Sequence, residues 1–246
     1  MTGPVEHVDV EAFDRDGFLS IDGLARTEEL PALRDAYADI LAGRVEAGAL
    51  DRRLGNITRQ VMMPHLLHPA LGAAPVIERA RRIAGEIMAF DQPDVFFSML
   101  IDKPPEHPHE TPWHQDLAYG GTPFAPEGAS VDNASVIQFW LALEDVDADM
   151  GCMEFSAGVH NRPLPKHKVA SGAPDDDGRL LAIETPETVI DPASVIVCPL
   201  KAGGATAHGY MTPHRTGPNR SKTRGRPAFI FSFVRPDFKT ALAGAA

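Results

Sequence analysis

Apolar residues in the first third of the chain recur at helical spacing. Leu30, Leu33, Tyr37, Ile40 and Leu41 share one face, and Gly43 supplies a stop. Ile77, Ala80, Ile83, Ala84, Ile87 and Met88 mark a second amphipathic helix. From residue 94 onward the pattern changes to short apolar runs cut by Gly and Pro. Residues 95–101, 136–143, 195–198, 205–210 and 228–234 read as strands.

Several short strands separated by turn residues predict an antiparallel sandwich or jelly roll. The expected architecture is one domain over residues 1–246, with a mostly helical part at 1–93 packed on a jelly-roll core at 94–240. Two stretches, 118–133 and 161–187, are too polar and Gly/Pro-rich to be core. The second carries the run Asp175-Asp176-Asp177-Gly178. Loops of this length in a domain of this size are commonly lids or binding loops, so both are expected at a substrate entrance.

Composition narrows the class. Hydrophobic residues make up 43% of the 246 positions and charged residues 23%, a globular balance. The net charge of −11 argues against nucleic-acid binding, which needs a basic footprint. No apolar run approaches the roughly 20 residues that cross a bilayer, and the N-terminus lacks the pattern of a signal peptide. A cytoplasmic location is expected. Cys152 and Cys198 have no C-x-x-C spacing and are expected as two reduced, buried thiols.

Candidate chemistry sits in TPWHQDLAYGG. Residues two apart at the end of an extended strand point to the same side, so His114 and Asp116 can converge on one ion. His214 can supply a third ligand from a facing strand, with His208 as its rival. Two histidines and one carboxylate on one face leave open positions for a chelating cosubstrate and dioxygen, an arrangement that suits iron(II). An H-x-D pair in a chain of ten histidines is weak by itself. His7, His65, His68, His107, His109 and His167 are expected to be surface or hydrogen-bonded residues.

The context is more specific. SMLIDKPPEHPHETPWHQDLAY, FWLALEDVDADMGCMEFSAGVH and HRTGPNRSKTRGRPAF follow one another in the order and spacing of the phytanoyl-CoA dioxygenase family, and FDRDGFLSIDGL is similar to its opening segment. The resemblance spans nearly the whole chain. It implies a double-stranded β-helix, iron(II) as metal, and 2-oxoglutarate and dioxygen as cosubstrates. His114 and Asp116 stand where the family's H-x-D ligands stand, and His214 heads an H-x-x-G-P-N-x-S stretch similar to its distal-histidine motif. Arg226 best matches the arginine that pairs with the far carboxylate of 2-oxoglutarate. SKTRGRPAF is one residue longer than the usual spacing, so Arg224 competes for that role. Met99, Trp140 and Thr216 match positions lining the cosubstrate pocket, and Gln138 shares a strand face with Trp140. Asn219 and Ser221 are expected to tie the turn by backbone hydrogen bonds. Met150-Gly151-Cys152 and Gly158 with His160 resemble structural stretches of the family, with Met150 and Val159 replacing its Asn and Ser.

The family implies an oxygenase that oxidises an unactivated C–H bond of a small molecule. The carboxylate of Asp116 argues against halogenation, which needs that position vacated, and for hydroxylation, desaturation or oxidative ring closure. A tailoring step in antibiotic biosynthesis is the expected role, with orthoester closure on a saccharide as one form. Acyl-CoA, amino-acid or phosphonate hydroxylation is the alternative. A non-catalytic jelly-roll binding module and a zinc hydrolase on the same three ligands are the rival classes. An arginine suited to a carboxylate speaks against both.

Overall fold

A computed structural model of the protein describes residues 8–54, 58–120, 132–170 and 180–235. In chain order the main elements are α1 (Val10–Asp16), β1 (Phe18–Ile21), α2 (Leu30–Leu41), β2 (Asp51–Leu54), β3 (Thr58–Met62), α3 (Pro64–Leu67), α4 (Pro69–Gly72) and α5 (Pro75–Met88). They continue with β4 (Asp94–Lys103), β5 (Thr111–His114), α6 (Leu117–Gly120), β6 (Val136–Ala142), β7 (Met153–Ser156) and β8 (His167–Val169). The last are β9 (Leu181–Ile183), β10 (Val195–Cys198), β11 (Ala205–Gly209), β12 (His214–Thr216) and β13 (Arg226–Val234).

Strands form a larger antiparallel sheet in the order β1-β11-β6-β13-β4-β3-β2 and a smaller one in the order β10-β7-β12-β5. This is a jelly-roll core with N-terminal helices packed on it. The period of two along each strand decides what faces where. On β13, Phe229, Phe231 and Phe233 join Phe139, Leu33, Ile40, Ile83 and other helix residues in one apolar core. The intervening Ala228 and Ile230 face the other way and meet Met153 and Phe155 of the smaller sheet. β6 is buried at every position because helices cover one face and the second sheet the other. Its inward set, Gln138, Trp140 and Ala142, is the set that reaches the jelly-roll interior.

The helices over 30–41 and 75–88 and the strand run 195–198 appear as the pattern predicts. β4 and β13 extend beyond their apolar stretches, because nine residues of β13 pair with β4. The first 93 residues also contain β1, β2 and β3, which complete the larger sheet. β2 and β3 read DRRL and TRQVM, sequences without alternation, and exist because β3 pairs with β4 and β2 with β3. Of the two expected loops, 161–187 contains the β8–β9 hairpin and 118–133 begins within α6. Residues 121–131 and 171–179, including the Asp175–Gly178 run, lie outside the described residues.

The opening segment has a positional reason to contain glycine. Gly17 ends α1 in the left-handed region, at φ 89°, and a Cβ there would lie 2.6 Å from His160 Nδ1. Its carbonyl accepts from Thr212 Oγ1 at 2.7 Å and from Asn133 Nδ2 at 3.2 Å, fastening the N-terminus to the turn before β12. Both cysteines are buried and free. Burial pushes the Cys152 thiol up to about 11 and Cys198 to about 12, which leaves them unreactive. Among the described residues no helix is long and apolar enough to cross a membrane.

Candidate active site

β5 and β12 are neighbours in the smaller sheet, and their register places His114 opposite His214. The ladder slips between His214 and Thr216, so three steps along β5 match two along β12. Asp116 follows just beyond the end of β5 and turns back toward both rings. One donor atom from each of His114, Asp116 and His214 lies within 4.8 Å of the others. The Nε2 atoms of His114 and His214 stand 3.6 and 3.7 Å from Asp116 Oδ1. Gln115 points elsewhere, donating to the Met211 carbonyl at 2.6 Å.

Hydrogen bonding decides which ring nitrogen faces inward. His114 Nδ1 donates to the Pro112 carbonyl at 2.8 Å, and His214 Nδ1 donates to the Thr212 carbonyl at 2.9 Å. Each ring therefore directs its Nε2, the nitrogen left for a metal, to the centre. Burial first, and then His114, push His214 well below the ordinary histidine value, so it stays neutral. Burial alone would raise Asp116; the surrounding rings of His214, His114 and His208 outweigh it and hold the carboxylate well below its ordinary value. Two converging imidazole Nε2 atoms and a carboxylate fit a divalent cation.

His208 takes the other side of the carboxylate. Its Nε2 is 3.4 Å from Asp116 Oδ2, where Gln138 Nε2 also donates at 2.6 Å. Gln138 Oε1 in turn accepts from Ser232 Oγ at 3.0 Å, and Ser232 Oγ accepts from Tyr210 Oη at 3.2 Å. Oδ1 thus faces the two Nε2 atoms while Oδ2 is held by a buried chain of side chains. His208 belongs geometrically to that chain rather than to the three converging donors.

These groups open on a cavity of about 500 Å³ whose walls are mostly apolar, with Phe96, Phe97, Met99, Trp140 and Ile230 among them. Arg226, the first residue of β13 and 1% exposed, lines the same cavity. Its Nη1 donates to the Gly151 carbonyl at 2.6 Å, its guanidinium lies 5.3 Å from the Trp140 ring centroid, and its Nε has no partner. Burial lowers Arg226 to about 10, still charged at neutral pH. Among the described residues no carboxylate pairs with it, so this cation is free to receive an anion from the cavity. Thr216, the last residue of β12, lines the cavity too. Arg224, by contrast, points outward, its side chain 51% exposed and paired with Asp147 Oδ2 at 2.9 Å.

A family model described as phytanoyl-CoA dioxygenase matches residues 13–228. The chain belongs to the phytanoyl-CoA dioxygenase family. Peroxisomal phytanoyl-CoA dioxygenase of Bos taurus is 38% identical over 73 residues, which is 28% of this chain and only 19% of the bovine protein. Among solved structures, EvdO2 from Micromonospora carbonacea var. aurantiaca complexed with 2-oxoglutarate is 27% identical, with a TM-score of 0.74 over 95% of this chain and 92% of that one. The carbocyclase SnoK from nogalamycin biosynthesis, described as non-heme and α-ketoglutarate-dependent, is 21% identical, with a TM-score of 0.71 over 95% and 87% of the two chains; it shares the fold.

In this member of the family the fold brings His114, Asp116, His214, Met99, Trp140, Thr216, Gln138 and Arg226 around one cavity. Other described histidines are elsewhere: His65 bonds Ser98, His68 caps α4, His107 bonds Thr58, His109 is exposed, His160 donates to the Asp14 carbonyl, and His167 accepts from the Gln115 N–H, while His7 lies outside the described residues. Asn219 closes the turn after β12, donating to the carbonyls of Lys103, Pro104 and Arg224. Sequence reasoning does not identify Tyr119, whose ring meets His114 edge-on at 5.4 Å, nor Tyr210 at the end of the Asp116 chain. Gly151, beneath Arg226, has φ 72°, and a Cβ there would stand 2.2 Å from the Gly217 carbonyl oxygen. Gly151→Ala is expected to cost at least about 2 kcal/mol and lower Tm by roughly 4–8 °C. Calorimetry checks it; an unchanged Tm would show that the turn relaxes freely.

Proposed function

We propose that His114, Asp116 and His214 hold iron(II), that Arg226, Thr216, Trp140 and Met99 hold 2-oxoglutarate, and that the enzyme oxidises an unactivated C–H bond of a secondary metabolite. Hydroxylation or oxidative ring closure, such as orthoester formation on a saccharide, is the outcome we assign. The observation that carries this reading is one cavity lined both by a His-Asp-His face and by a buried guanidinium that has no carboxylate partner among the described residues. A cation site and an anion site in a single enclosure suit a small keto-diacid. Similarity to EvdO2, which was crystallised with 2-oxoglutarate, supports the same assignment.

Bound iron and 2-oxoglutarate supply dioxygen activation, the cosubstrate ending as succinate and carbon dioxide. The chain's own groups do the rest. Asp116 offsets part of the metal's charge, and Gln138 and His208 hold its second oxygen so that Oδ1 keeps its aim. Arg226 orients the cosubstrate through its far carboxylate, while Trp140 and Met99 limit its rotation. Phe96, Phe97 and Tyr119 give the substrate side of the cavity a largely water-excluding wall.

The test is anaerobic loading with iron(II), addition of 2-oxoglutarate and air, and measurement of succinate by mass spectrometry. Candidate saccharide and polyketide antibiotic precursors follow, with the product examined for gain of one oxygen atom or loss of two hydrogens. Asp116→Ala is expected to fold and to form little succinate, since the metal loses an anionic ligand. Succinate formation equal to that of the wild type would remove Asp116 from the site.

A further inference from the structure

Lys103 is the last residue of β4, completely buried, and it stands opposite Arg226 in the β4–β13 register. Two cations beside one another in an enclosed place repel unless an anion joins them or one loses its charge. Among the described residues no carboxylate forms an ion pair with Lys103. Its Nζ donates instead to Thr216 Oγ1 at 3.1 Å and to the Gly217 carbonyl at 2.8 Å. Because the amine is the donor in the first of these bonds, the Thr216 hydroxyl proton is directed elsewhere, and Thr216 lines the cavity.

We propose that Lys103 is a positioning residue of the cosubstrate site: it turns the Thr216 O–H toward the far carboxylate of 2-oxoglutarate and becomes a second cation beside Arg226 when that carboxylate arrives. This rests on the assignment of Arg226 and Thr216 to 2-oxoglutarate. The two acceptors at Nζ match the two N–H donors of a neutral amine, whereas an ammonium brings a third. Burial, and after it the charge of Arg226, bring Lys103 down to about 6, with Glu110 pulling the other way. The cosubstrate-free enzyme therefore holds Lys103 neutral at neutral pH.

An incoming carboxylate favours the charged form, so 2-oxoglutarate binding takes up a proton. The other groups facing Lys103 are few. Arg226 comes from β13 and Glu110 from the segment ahead of β5. His107 lies in the connection after β4 and is itself pushed down by burial and then by Lys103. Asp102, on β4, accepts from Tyr37 Oη at 2.9 Å. The sign follows. The free-state value lies near 6 and the bound-state value lies higher, so affinity is greatest at low pH and falls as pH rises between the two.

Calorimetric titration of 2-oxoglutarate into the manganese(II)-loaded enzyme, repeated in buffers of different ionisation enthalpy, counts the protons. The wild type is expected to take up nearly one proton per 2-oxoglutarate at about pH 7.5, with Kd rising nearly tenfold for each pH unit between about 7 and the bound-state value. Lys103→Met is expected to abolish the uptake, flatten the pH profile and weaken 2-oxoglutarate about tenfold, leaving manganese affinity unchanged. Lys103→Gln restores a donor to Thr216 without a titratable charge, and is expected to regain part of the affinity and none of the uptake. A wild type that binds 2-oxoglutarate with no proton uptake, or uptake retained in both variants, overturns the proposal. Arg226→Ala separates the two levels. If it binds 2-oxoglutarate as tightly as the wild type, the underlying assignment fails; if it weakens binding while the Lys103 variants do not, this inference alone fails.

Discussion

His214→Ala is expected to abolish iron(II) binding and turnover, and His114→Ala to do the same. Each variant leaves one imidazole and one carboxylate, too few donors to retain a labile divalent ion. The loss should exceed roughly a hundredfold in metal affinity, since even outer partners of metal ligands account for ten- to a hundredfold. His208→Ala serves as the internal comparison. Its ring reaches Asp116 Oδ2, away from the oxygen that faces His114 and His214. It should therefore lower affinity by about tenfold, the effect of an outer partner, and leave binding saturable. Metal analysis by mass spectrometry after dialysis decides the matter. Full occupancy in His214→Ala with loss in His208→Ala would transfer the third-ligand role to His208.

Arg226→Ala is expected to raise the apparent KM for 2-oxoglutarate strongly while leaving iron affinity nearly unchanged. A carboxylate buried there without its cation costs about 3 kcal/mol, which corresponds to roughly a hundredfold. Arg226→Lys should rescue little, because a single ammonium cannot reproduce the planar fork held against Trp140 and the Gly151 carbonyl. Arg224→Ala is expected to be silent, since its guanidinium pairs with Asp147 at the surface. The phenotype appearing in Arg224→Ala alone would displace Arg226 from the cosubstrate site. Its absence from both variants would leave neither arginine as the partner of 2-oxoglutarate and would favour a zinc hydrolase on the same three ligands.

Much of this was legible in the sequence because the relevant signals are local. Helical spacing in α2 and α5 and alternation in β6 and β13 depend on near neighbours, so their burial faces follow from the period alone. H-x-D is local too: two residues apart on an extended end share a side whatever surrounds them. The segment H-x-x-G-P-N-x-S carried the likeness to a family, and with it the expectation that His214 and Arg226 work beside His114 and Asp116.

Tertiary structure decided what depends on partners far along the chain. β2 and β3 have no strand pattern of their own and are specified by β4. Between Arg224 and Arg226, the spacing left two candidates. Strand pairing resolves their placement, because Arg226 begins β13 opposite Lys103 with its side chain inward, while Arg224 lies in the preceding turn facing solvent. Between His208 and His214, the choice of which side of Asp116 each occupies belongs to two different sheets: β11 delivers one ring to Oδ2 and β12 the other to Oδ1. Nothing in the sequence alone singles out Lys103. Only the closing of β12 and its turn over the end of β4 buries it, and burial beside a second cation is what gives an unremarkable side chain a charge that depends on the ligand.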